Sequence, residues 1–235
     1  MAHFEFIDVS FAYSVDNVLR NVNFSLDRGQ KVSLIGQNGA GKSTAFKLAC
    51  GILRPTGGNI SILDTNPEEE SVRRKIGYLP EEPMPYRLLS VRENLEYSAS
   101  LRGVDNIREA AEWAMELFDL KVFDMTKAAM LSRGNIQRLA LGMATLHNPE
   151  ILILDEPLNY LDIPTQERLV KFISTSSKTV LVSTHLVSTA TRLTKELMLL
   201  SGGTIRWRGK FSDLDNFGTE TDSMESKIVR LMQTE

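Results

Sequence analysis

The first thirty residues alternate apolar and polar positions. "HFEFIDVSFAY" (3–13) and "VLRNVNFSLDRG" (18–29) read as half-buried antiparallel strands joined through the turn "SVDN". "KVSLIG" (31–36) is a short strand that runs straight into a glycine-rich loop. "KSTAFKLACGIL" (42–53) reads as a helix stopped by "RPTGG". "NISILD" and "KIGYLP" are two further strands. From Val91 to Leu120 the apolar residues fall at steps of three and four, which predicts a helical stretch inside an otherwise α/β chain. A further helix runs through "IQRLALGMATLHN" to Pro149. "ILILD" (Ile151–Asp155) and "TVLVST" are continuous apolar runs, the pattern of parallel strands buried on both faces, and "PTQERLVKFISTSS" between them is helical. "ELMLLSGGTIRWRG" predicts a hairpin turning at "SGG", and Met224, Ile228 and Leu231 are spaced like a short amphipathic helix. Each of these patterns occurs once, with no internal repeat and no low-complexity linker.

Composition narrows this picture little. The 235 residues suffice for one large domain with a subdomain, and 42% hydrophobic and 24% charged residues are ordinary for a soluble globular protein. A net charge of −3 argues against a nucleic-acid face or a polybasic membrane anchor. The single cysteine, Cys50, cannot form an internal disulfide, and no Cys/His metal spacing exists, so a reducing compartment fits. The N-terminus lacks the pattern of a signal peptide, and no apolar run approaches the roughly 18 residues that span a bilayer. A cytoplasmic chain is expected, one that reaches a membrane only if another protein carries it there.

Two segments carry chemistry. "GQNGAGKST" (Gly36, Gln37, Asn38, Gly39, Ala40, Gly41, Lys42, Ser43, Thr44) matches G-x-x-x-x-G-K-[ST] between a strand and a helix. Glycines let the backbone wrap phosphate oxygens, the helix start carries roughly half a positive charge, Lys42 reaches the β- and γ-phosphates, and Ser43 offers a hydroxyl to Mg²⁺. "ILILDE" ends a buried strand on Asp155, a Mg²⁺ carboxylate, and Glu156, a group to polarise attacking water. This pair of features fits kinases, GTPases, helicases and transport ATPases alike.

The octet "LSRGNIQR" (Leu131–Arg138) separates them. It sets a hydroxyl, a glycine and two arginines at a predicted helix start, which is where anions bind. With it, the chain resembles the nucleotide-binding subunits of ATP-binding cassette transporters from about Phe4 to Gly209. "FAYS" looks like the adenine loop, "GQNGAGKST" like Walker A, "GYLPEE" like the Q-loop and "LSRGNIQR" like the signature. "ILILDEP" looks like Walker B, "LNYLD" like the D-loop and "VSTH" like the switch-histidine loop. The resemblance implies a P-loop NTPase core with a parallel sheet, an N-terminal antiparallel β subdomain and an inserted α-helical subdomain. It also implies ATP and Mg²⁺ as ligands and two cassettes facing head to tail. Ser132 and Gly134 would then meet the γ-phosphate held by the partner chain. Tyr13 would stack on adenine, His185 would hydrogen-bond the γ-phosphate, Glu156 would be the catalytic carboxylate, and Asp162 would act across the dimer interface. A cassette over residues 1–218, with its helical part at about 84–148, and a helical tail over 219–235 are the expected divisions.

Three positions depart from the family pattern. Glu81 stands where the Q-loop has glutamine; it can still ligate the metal but adds negative charge. Arg133 replaces the first signature glycine, with Asn135 nearby for the usual glutamine, and Tyr160 replaces a small D-loop residue. These features look more like drug, antibiotic or lipid exporters than like tandem soluble cassette proteins that act on the ribosome, the alternative. The resemblance therefore implies an integral membrane permease and a second cassette as partners, with no nucleic acid, and a peripheral place on the cytoplasmic membrane face.

Overall fold

The computed structural model of the chain describes residues 2–217 and 222–233, so the boundary expected at 218–219 and the end of the tail lie outside the described residues. The first part runs β1 (Phe4–Ala12), β2 (Asn17–Leu26), β3 (Lys31–Ile35), α1 (Lys42–Ala49), β4 (Gly57–Ile62), α2 (Glu70–Arg73) and β5 (Ile76–Leu79). Then follow α3 (Val91–Leu101), α4 (Ile107–Leu117), α5 (Arg133–Thr145), β6 (Ile151–Asp155) and α6 (Ile163–Thr175). The chain closes through β7 (Thr179–Thr184), α7 (Val187–Leu193), β8 (Glu196–Ser201), β9 (Thr204–Lys210) and α8 (Met224–Gln233). Among the described residues, no helix is long and apolar enough to cross a membrane.

The chain divides into two compact units, Met1–Arg73 with Ser177–Glu235, and Arg74–Ser176. In the first, β2, β1 and β4 form an antiparallel sheet, while β7, β3, β8 and β9 lie side by side. β3 is parallel to both β7 and β8, and β9 returns antiparallel. The alternation of β1 slips in the middle: Phe4 and Phe6 are buried, then Val9 and Phe11. A step of three between inward residues demands a bulge. The bulge sits at Asp8 (φ 50°) and is matched across the pair by Asn21 (φ 45°), residue types that tolerate the left-handed region. Asn23 holds the irregularity from both sides. Its Oδ1 accepts from Asp8 N at 2.8 Å and its Nδ2 donates to Asp8 Oδ1 at 2.8 Å. Below, Phe4, Phe6 and Phe24 stack at 4.7–5.6 Å, each burial contributing roughly 1.5–3 kcal/mol. A second core joins Ile35, Leu197 and Leu199 to Ala190 of α7 and Ile228 of α8.

The helix expected over 42–53 ends earlier, at Ala49. Gly51 turns left-handed (φ 64°), Ile52 N donates back to Lys47 O at 2.9 Å, and a Cβ at Gly51 would come within 2.4 Å of Pro67 O. The apolar residues after it belong to the turn.

In the second unit, β5 and β6 pair in parallel, and β6 is buried at every position. The helices α3, α4 and α5 pack through Leu95, Ala114, Phe118 and Leu141. A Cβ on Gly142 would lie 3.0 Å from Leu95 Cδ2 and 3.4 Å from Ala114 Cβ, so this glycine sets how closely α5 approaches the other two. Ser90 caps α3 in a reciprocal box with Glu93. Arg92 ties α3 to its surroundings through Asp124 and Glu112 at 2.6 Å each.

Candidate functional site

In the first unit the strand register determines what meets. Ile35, the last residue of β3, pairs with Thr184, the last of β7. The loop that begins at Gly36 and the exposed His185 therefore leave the same rim of adjacent parallel strands, the edge where open α/β sheets bind ligands. Within the loop, Gly39 (φ 81°) and Gly41 (φ 105°) adopt left-handed conformations that a side chain would strain. Gly36 is needed for another reason: a Cβ there would fall 2.6 Å from Leu200 O. Lys42, buried at the start of α1, donates through Nζ to Gly36 O at 2.8 Å and Gln37 O at 3.2 Å. An ammonium has three hydrogens, so these two bonds aim the group and leave one for an anion. Ser43 and Thr44 follow in the first turn of α1. Tyr13 lies just past β1 with its ring edge-on to Phe11 at 4.9 Å. It is 60% exposed, and its hydroxyl is 3.4 Å from Thr44 Oγ1. A solvent-facing ring anchored to the phosphate loop is an available stacking platform. An open pocket of about 350 Å³ runs from Asn17, Val18 and Arg20 to Gln37–Ala40 and the Gly202–Gly203 turn.

In the second unit Leu79 pairs with Leu154, so Glu81 and the pair Asp155–Glu156 emerge at the same end of β5 and β6. Asp155 is 1% exposed and Glu156 5%. Glu156 has φ 48°, a left-handed conformation that costs a β-carbon residue about 1–2 kcal/mol. Strain at a buried carboxylate is a mark of a functional position. The turn after it is held from α5. Gln137, 2% exposed, donates through Nε2 to Glu156 O at 3.5 Å and Pro157 O at 3.4 Å, and Asn159 N donates to Glu156 O at 3.2 Å.

Ser132 caps α5, its Oγ accepting from Asn135 N at 3.3 Å. This cap uses a lone pair and leaves the hydroxyl hydrogen to donate, so capping and anion binding are compatible in one side chain. Gly134 lies flat against the same turn; a Cβ would fall 2.6 Å from Tyr160 O. Asp162 is engaged within its own chain. Its Oδ1 accepts from Thr165 N at 3.1 Å as the cap of α6, and its Oδ2 takes Arg138 Nη2 at 2.8 Å. The Thr165 hydrogen bond first, then Arg138, holds its carboxyl below the ordinary aspartate value. The substituted positions gather too: Glu81, Arg133 and Tyr160 line one groove of about 300 Å³ with Glu82, Pro83, Ile136, Gln137 and Asn159.

Ser43 in the first unit, and Asp155 and Glu81 in the second, each carry a hard oxygen donor of the type that suits Mg²⁺. Among the described residues, no three His, Cys, Asp or Glu side chains form a self-contained metal site.

Gln137 and Asn94 were not legible as organisers. Asn94 is fully buried, accepts from Tyr86 N at 2.8 Å and donates to Tyr86 O, Leu89 O and Ser90 O at 2.8–3.2 Å, fixing the loop that follows Glu81. A polar residue on the apolar face of a predicted helix was the available signal.

Known proteins resemble this chain over most of its length. The ABC transporter family model matches residues 19–159. The ABC-type transporter ATP-binding protein EcsA of Bacillus subtilis (strain 168) is 33% identical over 235 residues, covering 95% of this chain and 94% of EcsA. A solved structure described as the ATP-binding subunit of an ABC transporter superposes with TM-score 0.89 at 31% identity, over 98% of this chain and 99% of that one. The dimeric, post-hydrolysis structure of the ATP-binding cassette MJ0796 bound to ADP and Pi gives TM-score 0.80 at 26% identity, over 88% and 98%.

Proposed function

The chain belongs to the ABC transporter family as an ATP-hydrolysing cassette, and from that premise we propose that it drives a separate membrane permease, as an exporter motor. Two cassettes, this chain and a second copy or close relative, enclose two ATP molecules. The observation that carries this reading is the split of donors within one chain. The phosphate loop supplies a cradle at one strand rim, and Ser132, at the start of α5, keeps a hydroxyl hydrogen that can donate to an anion. The dimeric state of the MJ0796 cassette supports the same arrangement.

In this mechanism Lys42 and the amides of Gly36–Thr44 bind the phosphates, Tyr13 stacks on the base, and Glu156 orients or deprotonates the attacking water. His185 holds the γ-phosphate and the water in line, and Asp162 acts at the interface through the turn it caps. Mg²⁺ bound with ATP, held by Ser43, Asp155 and Glu81, would neutralise phosphate charge. Closure and ATP binding are one event because each γ-phosphate bridges two chains. Hydrolysis removes the bridge, which gives a ligand-biased two-state element. The helical stretch at about 84–148 receives a cytoplasmic helix of the permease, and the cassette sits on the cytoplasmic membrane face through it. Met84 (91% exposed) and Leu88 (80%), beside the edge-on pair Tyr86–Tyr97, support an apolar docking surface there.

Glu156→Gln tests the reading. General-base help is worth about 10²–10⁴ in rate, so the variant should hydrolyse at least about a hundredfold more slowly while accumulating as an ATP-bound dimer in light scattering. Hydrolysis at the parental rate, or a chain that stays monomeric at saturating ATP, refutes it.

A further inference from the structure

The two substituted positions Arg133 and Tyr160 face each other. The Arg133 guanidinium lies over the Tyr160 ring, 5.8 Å from its centroid, within cation–π range. Tyr160 is 61% exposed and left-handed (φ 62°), a conformation more easily held by glycine or asparagine. Its carbonyl oxygen presses on Gly134 so closely that a Cβ would meet it at 2.6 Å. The same turn is tied to α5 through Gln137 and through Arg138 with Asp162. The segment from Glu156 to Asp162 and the first turns of α5 are thus joined at four places. The Arg133–Tyr160 contact is one of them, and its ring is exposed.

We propose that Arg133 and Tyr160 are positioning residues: their ring–guanidinium contact holds the left-handed turn against Gly134 and so fixes Ser132 and Gly134 relative to Glu156. The pair acts by having the turn already ordered before two cassettes close, and its loss leaves that ordering to be done at closure. This rests on the sandwich reading above and adds to it a defined coupling between the Glu156 end of the segment and the surface that meets the partner's nucleotide.

The test uses the full chain in the Glu156→Gln background, with ATP-dependent dimerisation followed by light scattering and nucleotide binding to the monomer followed by fluorescence. Each exposed contact is worth about a two- to fivefold factor, and a symmetric dimer contains two. Arg133→Ala and Tyr160→Gly should therefore each weaken dimerisation by about five- to thirtyfold, with monomer nucleotide affinity unchanged and the melting midpoint within about 4 °C of the parent. Tyr160→Phe keeps the ring face and should dimerise like the parent. The double variant should be no worse than either single one, because both remove the same contact. If the turn's strain mattered rather than the ring, Tyr160→Gly would dimerise more tightly, and that result overturns the proposal. So do additive effects in the double variant, or unaltered dimerisation in both singles while the parent dimerises. A Glu156→Gln parent that never dimerises removes the sandwich itself, a separate failure visible before any Arg133 or Tyr160 variant is made.

Discussion

Gly134→Ala puts the helix-start geometry to a sharp test, because two opposing effects of one methyl group can be read separately. Alanine is better than glycine inside a helix by about 0.5–1 kcal/mol. Against this, the new Cβ would sit 2.6 Å from Tyr160 O, where ordinary contact begins near 3.4 Å, so backbone must separate from backbone by 3.4 − 2.6 = 0.8 Å. Overpacking of this kind costs about 1–3 kcal/mol, which leaves a net loss between about zero and 2.5 kcal/mol. For a chain of this size that lowers the melting midpoint by no more than about 10 °C. The functional effect is read separately, since a displacement near 1 Å at a positioned group can cost about a hundredfold in rate. Steady-state ATP hydrolysis should therefore fall about a hundredfold, while the variant remains folded and its monomer binds nucleotide normally through the phosphate loop. Parental hydrolysis in a folded Gly134→Ala protein would refute the reasoning, because the helix start would then be free to move 0.8 Å without consequence.

At the other half of the site, Gly41→Ala forces a β-carbon residue to φ 105° and sets a Cβ 2.7 Å from Leu19 Cδ2 and 3.2 Å from Val18 O. A loss of about 1–3 kcal/mol in urea unfolding and at least tenfold weaker ATP binding are expected; unaltered affinity would remove Gly41 from the cradle. The Glu93 carboxyl is held below its ordinary value of 4.5, chiefly by the Ser90 backbone N–H and then by the Ser90 hydroxyl. A depressed folded value means stability that is complete above the ordinary glutamate range and is lost as pH falls below it. Urea midpoints measured between pH 7 and pH 3 should therefore fall less steeply for Glu93→Gln than for the parent, and equal slopes would contradict the assignment.

The strands and the phosphate loop were readable because their signals are local. Continuous apolar runs such as Ile151–Leu154 admit few structures, and the glycines at 39 and 41 occupy conformations that the absence of a Cβ makes accessible. The regular alternation expected over "HFEFIDVSFAY" breaks between Phe6 and Val9, where the bulge at Asp8 takes up an extra residue. Short pieces escaped: α2 has four residues and α7 seven, too few turns for a period to emerge. The contacts that organise the site were hidden for a different reason. Gln137 reaches Glu156 and Pro157 across about twenty positions of sequence, and no spacing rule connects them. Ser132 was legible both as a cap and as an anion donor, and the geometry makes those two readings compatible rather than rival.

The left-handed backbone at Glu156 also bears on how this chain should be engineered. A thermostability screen, blind to turnover, would favour glycine or asparagine there, since either relaxes the twist that glutamate tolerates poorly. On the proposed mechanism such a winner would be sturdier and slower by at least about a hundredfold. Position 156 is thus one where selection for robustness and selection for work pull in opposite directions, and any library built on this scaffold should hold it constant.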